Sequence, residues 1–336
     1  MNKTKYNVGK TKEAAPVLIR RDPVVDRNKR WPMCRLTMYS PDRSPVDCVE
    51  ELSAVADTLG KINRTFLVHF AGVPSLDGLD KVVLPDNVAL LESQAEAQSS
   101  VLYKGERYEV GWESLRSGPI PQKRRLPPTE ATVIKVLGLL ARNADVAEVA
   151  AALKFDPALQ YNLLKYLNSA KISLAAFGGF RSFEQAIMLL GYRQFSRWLS
   201  MYLLRSSVEP AVPELYRIAV TRGRQMELLA GYSGIQKSER DSVFITGAFS
   251  MVDRVLGVTM ETVLKPLALD QAVTDALLLG EGRYAPLLQF ARSCENGTEF
   301  QMYEQLEQLG ISTRDANMAM VEGMHYAEEP DLLEED

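Results

Sequence analysis

One segment constrains this chain more than any other. Ser117-Gly-Pro-Ile-Pro-Gln-Lys-Arg-Arg-Leu-Pro-Pro concentrates proline, glycine and charge, a composition that ends regular structure and reads as a linker. Before it, strand-like runs alternate with a helical stretch; after it, apolar residues recur at helical spacing almost to the C-terminus. The expected fold class is α+β, an incomplete N-terminal α/β region followed by an all-α one. The boundaries read as a flexible basic arm at 1–16, an α/β domain at 17–117, a linker at 118–128, a helical domain at 129–326 and an acidic tail at 327–336. A chain of 336 residues with 46% hydrophobic content is long enough for two cores.

Within the first region, Val17-Leu-Ile-Arg-Arg and Arg35-Leu-Thr-Met-Tyr read as strands on either side of the turn-rich Asp26-Arg-Asn-Lys. From Asp47 to Lys61, residues Val49, Leu52, Val55, Ala56 and Leu59 share one helical face. Thr65-Phe-Leu-Val-His-Phe and Asn87-Val-Ala-Leu-Leu are compact strand-type runs. Val101-Leu-Tyr and Tyr108-Glu-Val flank Lys104-Gly-Glu-Arg, which suits a hairpin turn. Strand–helix–strand alternation fits a parallel arrangement, but the region is short for a complete barrel. Beyond the linker, helices are expected from Thr129, over Val146–Leu153, from Asp156-Pro157, over Ser182–Leu190 and Arg193–Leu204, and over Glu214–Ala230 and Asp241–Leu256. Four shorter ones follow around Asp270–Leu279, Ala285–Cys294, Glu299–Leu309 and Thr313–Met324.

Charge and cysteine content narrow the function classes. A net charge of −4 gives no general reason for nucleic-acid or membrane binding. The charge is uneven, with nine Lys/Arg in residues 1–30 and seven Asp/Glu in the last fifteen, and both ends read as solvated tails. Cys34, Cys48 and Cys294 form no CxxC pair and read as reduced thiols. With a polar N-terminus and no run of about 18 apolar residues, the chain is expected to be cytoplasmic.

Catalytic signatures are sparse. There is no GxxxxGK[ST] loop, GxSxG elbow or GxGxxG fingerprint. Two histidines, His69 and His325, do not make a metal site, which needs several converging ligands. His69 reads as a packed core residue, and His325 has no histidine three or four residues away.

Four short motifs carry a family likeness: Leu126-Pro-Pro, Asp156-Pro-Ala-Leu, Tyr166-Leu-Asn-Ser-Ala, and the helix from Ser182 to Leu190-Gly191. In this order they resemble the HDOD domain, a signalling output domain related to HD phosphohydrolases, over about residues 125–326. HD enzymes hold metal through a histidine, a His-Asp doublet and an aspartate. Here the corresponding helices read Ala219-Val-Thr-Arg-Gly-Arg-Gln and Gly247-Ala-Phe-Ser-Met-Val-Asp253, without histidine. The N-terminal region is similar, more faintly, to a truncated EAL domain. Its signature strand reads Pro32-Met-Cys-Arg-Leu without a glutamate, and His69 stands where a metal-binding asparagine is expected.

The resemblance implies a protein that is not an enzyme, has no cofactor, and acts in signal transduction through protein–protein contact of the HDOD domain. The expected partner is another signalling protein. A second copy of the chain and cyclic di-GMP stay open, whereas nucleic acid and membrane are not expected. The partner surface is placed after the third helix, on Asn168, Ser169, Lys171, Phe177, Phe180 and Arg181, because loops on rigid scaffolds and exposed aromatics anchor interfaces. One alternative is a cyclic-dinucleotide receptor using Arg20, Arg21 or Arg35 against phosphates. Another is a residual metal-dependent phosphodiesterase.

Overall fold

The first two strands are long, adjacent and joined by a tight loop, and the rest of the sheet grows outward from them. The structure, a computed structural model, describes residues 17–28, 30–73, 83–91, 100–112, 126, 128–153, 156, 159, 161–163, 166, 183–205, 212–267 and 269–328. Strand β1 (Leu18–Val25) pairs antiparallel with β2 (Met33–Tyr39). In their loop, Asp26 Oδ1 accepts from the amides of Asn28 and Arg30, which holds the reversal closed.

Helix α1 (Pro45–Gly60) starts at Ser44, whose hydroxyl accepts from the Asp47 amide, with proline at the first helical position. It buries Cys48, Leu52, Val55 and Leu59 and returns the chain to β3 (Thr65–Ala71), parallel to β2. Strand β4 (Val88–Leu90) adds in parallel. On the other side β5 (Ser100–Tyr103) and β6 (Glu106–Val110) form a hairpin, and β6 pairs antiparallel with β1. Lys104 (φ 49°) and Gly105 (φ 83°) make its two-residue turn, the left-handed pair that matches strand twist. The sheet runs β4-β3-β2-β1-β6-β5. It is thus mixed, and the parallel part expected from the sequence is only β2–β3–β4.

The helical region contains α2 (Pro128–Ala141), α3 (Val146–Leu153), α4 (Phe183–Arg205), α5 (Val212–Leu229), α6 (Arg240–Phe249), α7 (Val252–Leu256), α8 (Met260–Leu264), α9 (Gln271–Leu278), α10 (Ala285–Asn296), α11 (Glu299–Leu309) and α12 (Thr313–Ala327). Asp156 caps as the sequence suggests, its Oδ1 accepting from the Leu159 amide at 2.9 Å. Helix α4 kinks at Gly191 (φ 73°, ψ 157°), the point where two helices were expected to separate.

The single helix expected over 241–256 is instead two. Ser250 turns its hydroxyl back to the Gly247 carbonyl at 2.6 Å, and Met251 leaves the helical region (φ −126°, ψ 3°). Helix α8 was not expected. It is a one-turn element capped by Thr259, too short to show a period.

The sheet has two unlike faces. The inner one, with Ile19, Cys34, Leu36, Phe66 and Val68, shares one continuous core with α1 and the helical region. The outer one holds a small separate cluster of Val24, Met33, Leu67 and Val101. Asn317 of α12 completes the start of β1. Its side chain accepts from the Ile19 amide at 2.9 Å and donates to the Val17 carbonyl at 2.8 Å, imitating a strand neighbour. Among the described residues no helix is long and apolar enough to cross a membrane.

Candidate functional site

The helices to which the HD likeness assigns metal ligands lie against each other. A Cβ on Gly247 of α6 would come 2.6 Å from Gly223 Cα of α5, and one on Gly223 would meet the Phe244 carbonyl at 2.8 Å. The two backbones therefore touch, and only glycine permits that separation.

Beside this contact stands a buried ion cluster. Arg222 of α5 holds Glu295 of α10 with both prongs of its guanidinium, Nε to Oε1 at 2.7 Å and Nη2 to Oε2 at 2.5 Å. Its remaining nitrogen, Nη1, donates to Ser250 Oγ at 2.8 Å. Arg21 of β1 approaches the same carboxylate, Nη2 to Oε1 at 2.9 Å. The side chains of Arg21 and Glu295 are wholly buried, and that of Arg222 is 2% exposed. A bidentate, charge-assisted pair of this kind tolerates burial because nearly every lone pair on the acceptor is used. Two guanidiniums thus flank one carboxylate where the resemblance looks for a metal and its ligands.

Asp253, the carboxylate of the doublet helix, lies in the first turn of α7, and burial raises its pKa. Among the described residues no three His, Cys, Asp or Glu side chains converge as metal ligands would. Cys294, next to Glu295, accepts from Gln225 Nε2 at 3.5 Å, and burial pushes its thiol up to about 12. Cys34 is raised to about 12 and Cys48 to about 11, in each case chiefly by burial. None of the three is a thiolate near neutral pH, which removes the commonest cysteine nucleophile chemistry.

A second joint between sheet and helices is open to solvent. Trp31, Ile62, Arg64, Arg217, Thr221, Met324, Ala327 and Glu328 line a small cleft. Glu328 Oε1 accepts from Arg64 Nη2 and Arg217 Nε, both at 3.0 Å. Glu214 Oε1 accepts from the Trp31 amide at 3.1 Å and from Arg217 Nη1 at 3.2 Å. The Arg64 guanidinium lies 4.2 Å from the Trp31 ring centre, a cation–π contact, and Trp31 meets Trp112 edge-on at 5.6 Å. Burial pulls the Arg64 guanidinium down, and Glu328 and Glu214 oppose it.

The three arginines considered as phosphate ligands separate in the fold. Arg21 points into the core. Arg20 and Arg35 sit on the outer sheet face, where both donate to Asp22 Oδ2, at 3.3 and 3.0 Å. His69 lies mid-strand in β3 and is 2% exposed, as a packed histidine should be. The six residues of the expected partner surface, Asn168, Ser169, Lys171, Phe177, Phe180 and Arg181, lie outside the described residues. Sequence reading passed over Arg222 and Glu295 altogether. The available signal was weak: an arginine among the apolar positions of one helix and a glutamate at the end of another.

No family model matches the chain. It is 30% identical over 155 residues to the uncharacterized protein YuxH of Bacillus subtilis, a match covering 45% of this chain and 37% of that protein. It is 28% identical over 181 residues to the cyclic di-GMP phosphodiesterase CdgJ of Vibrio cholerae, covering 53% of this chain and 40% of the relative. The matches thus span about two fifths of these curated relatives. A solved structure described as a metal-dependent phosphohydrolase, from Shewanella amazonensis, overlaps 61% of this chain and 93% of that one, at 15% identity and a TM-score of 0.39.

Over part of its length the chain is thus similar to a protein named for cyclic di-GMP turnover. The similarity also corrects one expectation. The missing histidines implied a protein that is not an enzyme, but a relative named for phosphodiesterase activity points to enzyme activity in this lineage. The physical reason for the error is plain. Absent ligands argue only against the one metal geometry for which they were sought, and other residue sets can support hydrolysis.

Proposed function

We propose that this chain is a signal-transduction protein connected with cyclic di-GMP turnover, in which an EAL-like sheet region and an HDOD-like helical region work as one relay. Residues 17–117 and 129–326 are the two parts, and the helical part contacts a partner signalling protein in the cytoplasm. The observation that carries this reading is the Arg21–Glu295–Arg222 cluster. The first strand ends a buried charge on a carboxylate shared with α5, so a shift of the sheet cannot occur without moving a helix that packs through much of the helical core. The likeness to CdgJ supports the connection with cyclic di-GMP.

The partner surface is assigned to Asn168, Ser169, Lys171, Phe177, Phe180 and Arg181. In-cell cross-linking of the full chain, followed by mass spectrometry, tests it. A discrete cross-linked protein is expected for the wild type and lost in a Phe177→Ala/Phe180→Ala variant that still folds. An unchanged cross-linking pattern would remove this surface.

A second reading is favoured by the name of the Vibrio relative: hydrolysis of a cyclic dinucleotide by this chain itself. Turnover of cyclic di-GMP by purified protein, with Mg²⁺ or Mn²⁺ supplied, is its measurement. Product formation proportional to enzyme would establish it.

A further inference from the structure

The open cleft between sheet and helices holds one carboxylate in an unfavourable place. Glu328 caps the C-terminus of α12, its backbone N–H donating to the His325 and Tyr326 carbonyls. That end of a helix carries partial negative charge and disfavours an acidic side chain. Two guanidiniums reverse the preference: Arg64 Nη2 and Arg217 Nε both donate to Glu328 Oε1 at 3.0 Å. Arg64 is held on its face by the Trp31 ring, and its side chain is only 6% exposed. Ile62, Met324 and Ala327 supply an apolar wall.

Two features make Glu328 a poor fit for the seat it fills. Its backbone is pinned as the helix cap, and both arginines meet the same oxygen. A carboxylate not tied to the chain presents one oxygen to each guanidinium, which is the stronger arrangement. Trp31 Nε1 is moreover buried without a hydrogen-bond partner among the described residues, although its ring lines the cleft. Such a donor is rare in folded proteins unless something accepts from it. Charge sets the class of acceptor. Arg64 and Arg217 pair with Glu214 at 3.6 and 3.2 Å, so without Glu328 these three side chains carry one net positive charge. A monoanion neutralises it, whereas a dianion overshoots and is repelled by Glu214.

We propose that the cleft is a seat for a monocarboxylate, and that Glu328 is the chain's own stand-in for that ligand. An incoming carboxylate exchanges with Glu328 and accepts from Arg64 and Arg217, with Trp31 Nε1 as a further donor. Its short apolar stem lies against Ile62, Met324 and Ala327. Exchange frees the cap of α12, the helix whose Asn317 completes the start of β1, so the ligand acts on an element that holds the sheet. The carboxylate is that of a free small acid or of an acidic side chain, as in the Asp331-Leu-Leu-Glu run that follows in the sequence. The seat lies outside the Arg21–Glu295–Arg222 cluster, and it goes beyond the relay without depending on it.

Titration of the full chain at constant ionic strength and mildly alkaline pH, followed through the indole N–H signals of its tryptophans by NMR, tests the seat. Acetate is the probe in one arm and the blocked peptide acetyl-Asp-Leu-Leu-Glu-amide in the other. The Trp31 signal, assigned with Trp31→Phe, should move saturably in at least one arm, and which arm tells a free acid from an acidic side chain. Glu328→Gln should tighten this binding about tenfold, because a tethered competitor at high effective concentration is gone. Adding Arg217→Gln to that variant should cancel the gain. Inorganic phosphate, mostly a dianion at this pH, should displace neither probe at equal concentration. That last measurement separates a monocarboxylate seat from a merely positive surface, and it keeps the test decisive if the double variant fails to fold. No saturable shift of Trp31 in either arm with Glu328→Gln would overturn the proposal. So would affinities unmoved by that substitution, or equal displacement by phosphate.

Discussion

Two ion clusters fasten the sheet to the helices, and they differ in almost everything except the residue types used. Arg21, Glu295 and Arg222 are dry, with side chains between 0 and 2% exposed. Arg64, Arg217 and Glu328 line an open cleft with Glu214 paired to both arginines beside it, and side-chain exposure rises from 6% at Arg64 to 30% at Arg217. In the dry cluster the charges have lost their hydration, so geometry must replace it: a bidentate pair, a serine hydroxyl and a second guanidinium over the Trp112 ring at 5.5 Å. In the wet cluster water and salt share the task, and each contact matters less. The same chemistry therefore acts as a rigid weld in one place and an adjustable seam in the other.

The sharpest way to break this contrast is Glu295→Gln. It keeps the volume but leaves two buried guanidiniums without a counter-charge, and a loss of about 3–5 kcal/mol is expected. Urea unfolding would read it, and a loss below about 1 kcal/mol would mean that water reaches the cluster.

Gly247→Ala attacks the same joint without touching a charge. Its methyl would meet the backbone of α5, forcing α6 away and drawing Ser250 off Arg222. A cost of about 1–3 kcal/mol is expected from such overpacking. Near-wild-type stability would show that the helix contact is looser than it looks.

Glu328→Gln opens the seam. Arg64 keeps Glu214 at 3.6 Å and the Trp31 ring, so about 1 kcal/mol or less is expected, shrinking as salt is raised. An effect as large as that of Glu295→Gln, and insensitive to salt, would erase the distinction between the two clusters.

How far the sequence could be read follows the same division between local and distant. The Asp26 loop, the Lys104-Gly105 hairpin and the Asp156 cap were all visible, because each is a contact between residues at most a few positions apart. A compact apolar run marked β3, and the helical period marked α5 and α11. The break at Ser250 was not visible. What stops the helix there is a hydroxyl engaged by Arg222, on another helix.

Arg20 and Arg21 make the point most directly. Adjacent in sequence and identical in type, they looked interchangeable as phosphate ligands. Strand alternation sends them to opposite faces, one to the outer face with Asp22 and the other to Glu295, 274 positions away. Alternation itself was legible, but which face would meet a helix was not. That depended on where α10 and α5 come to rest.

By itself the sequence determined the kinds of element, their order and their local caps, since propensity, period and short-range hydrogen bonds act within a few residues. Tertiary structure alone decided which charges would be dry. Burial is a property of what packs on a side chain, and the groups that pack on Arg21 lie at the far end of the chain. The dry Arg–Glu–Arg weld and the wet seam are both consequences of that packing.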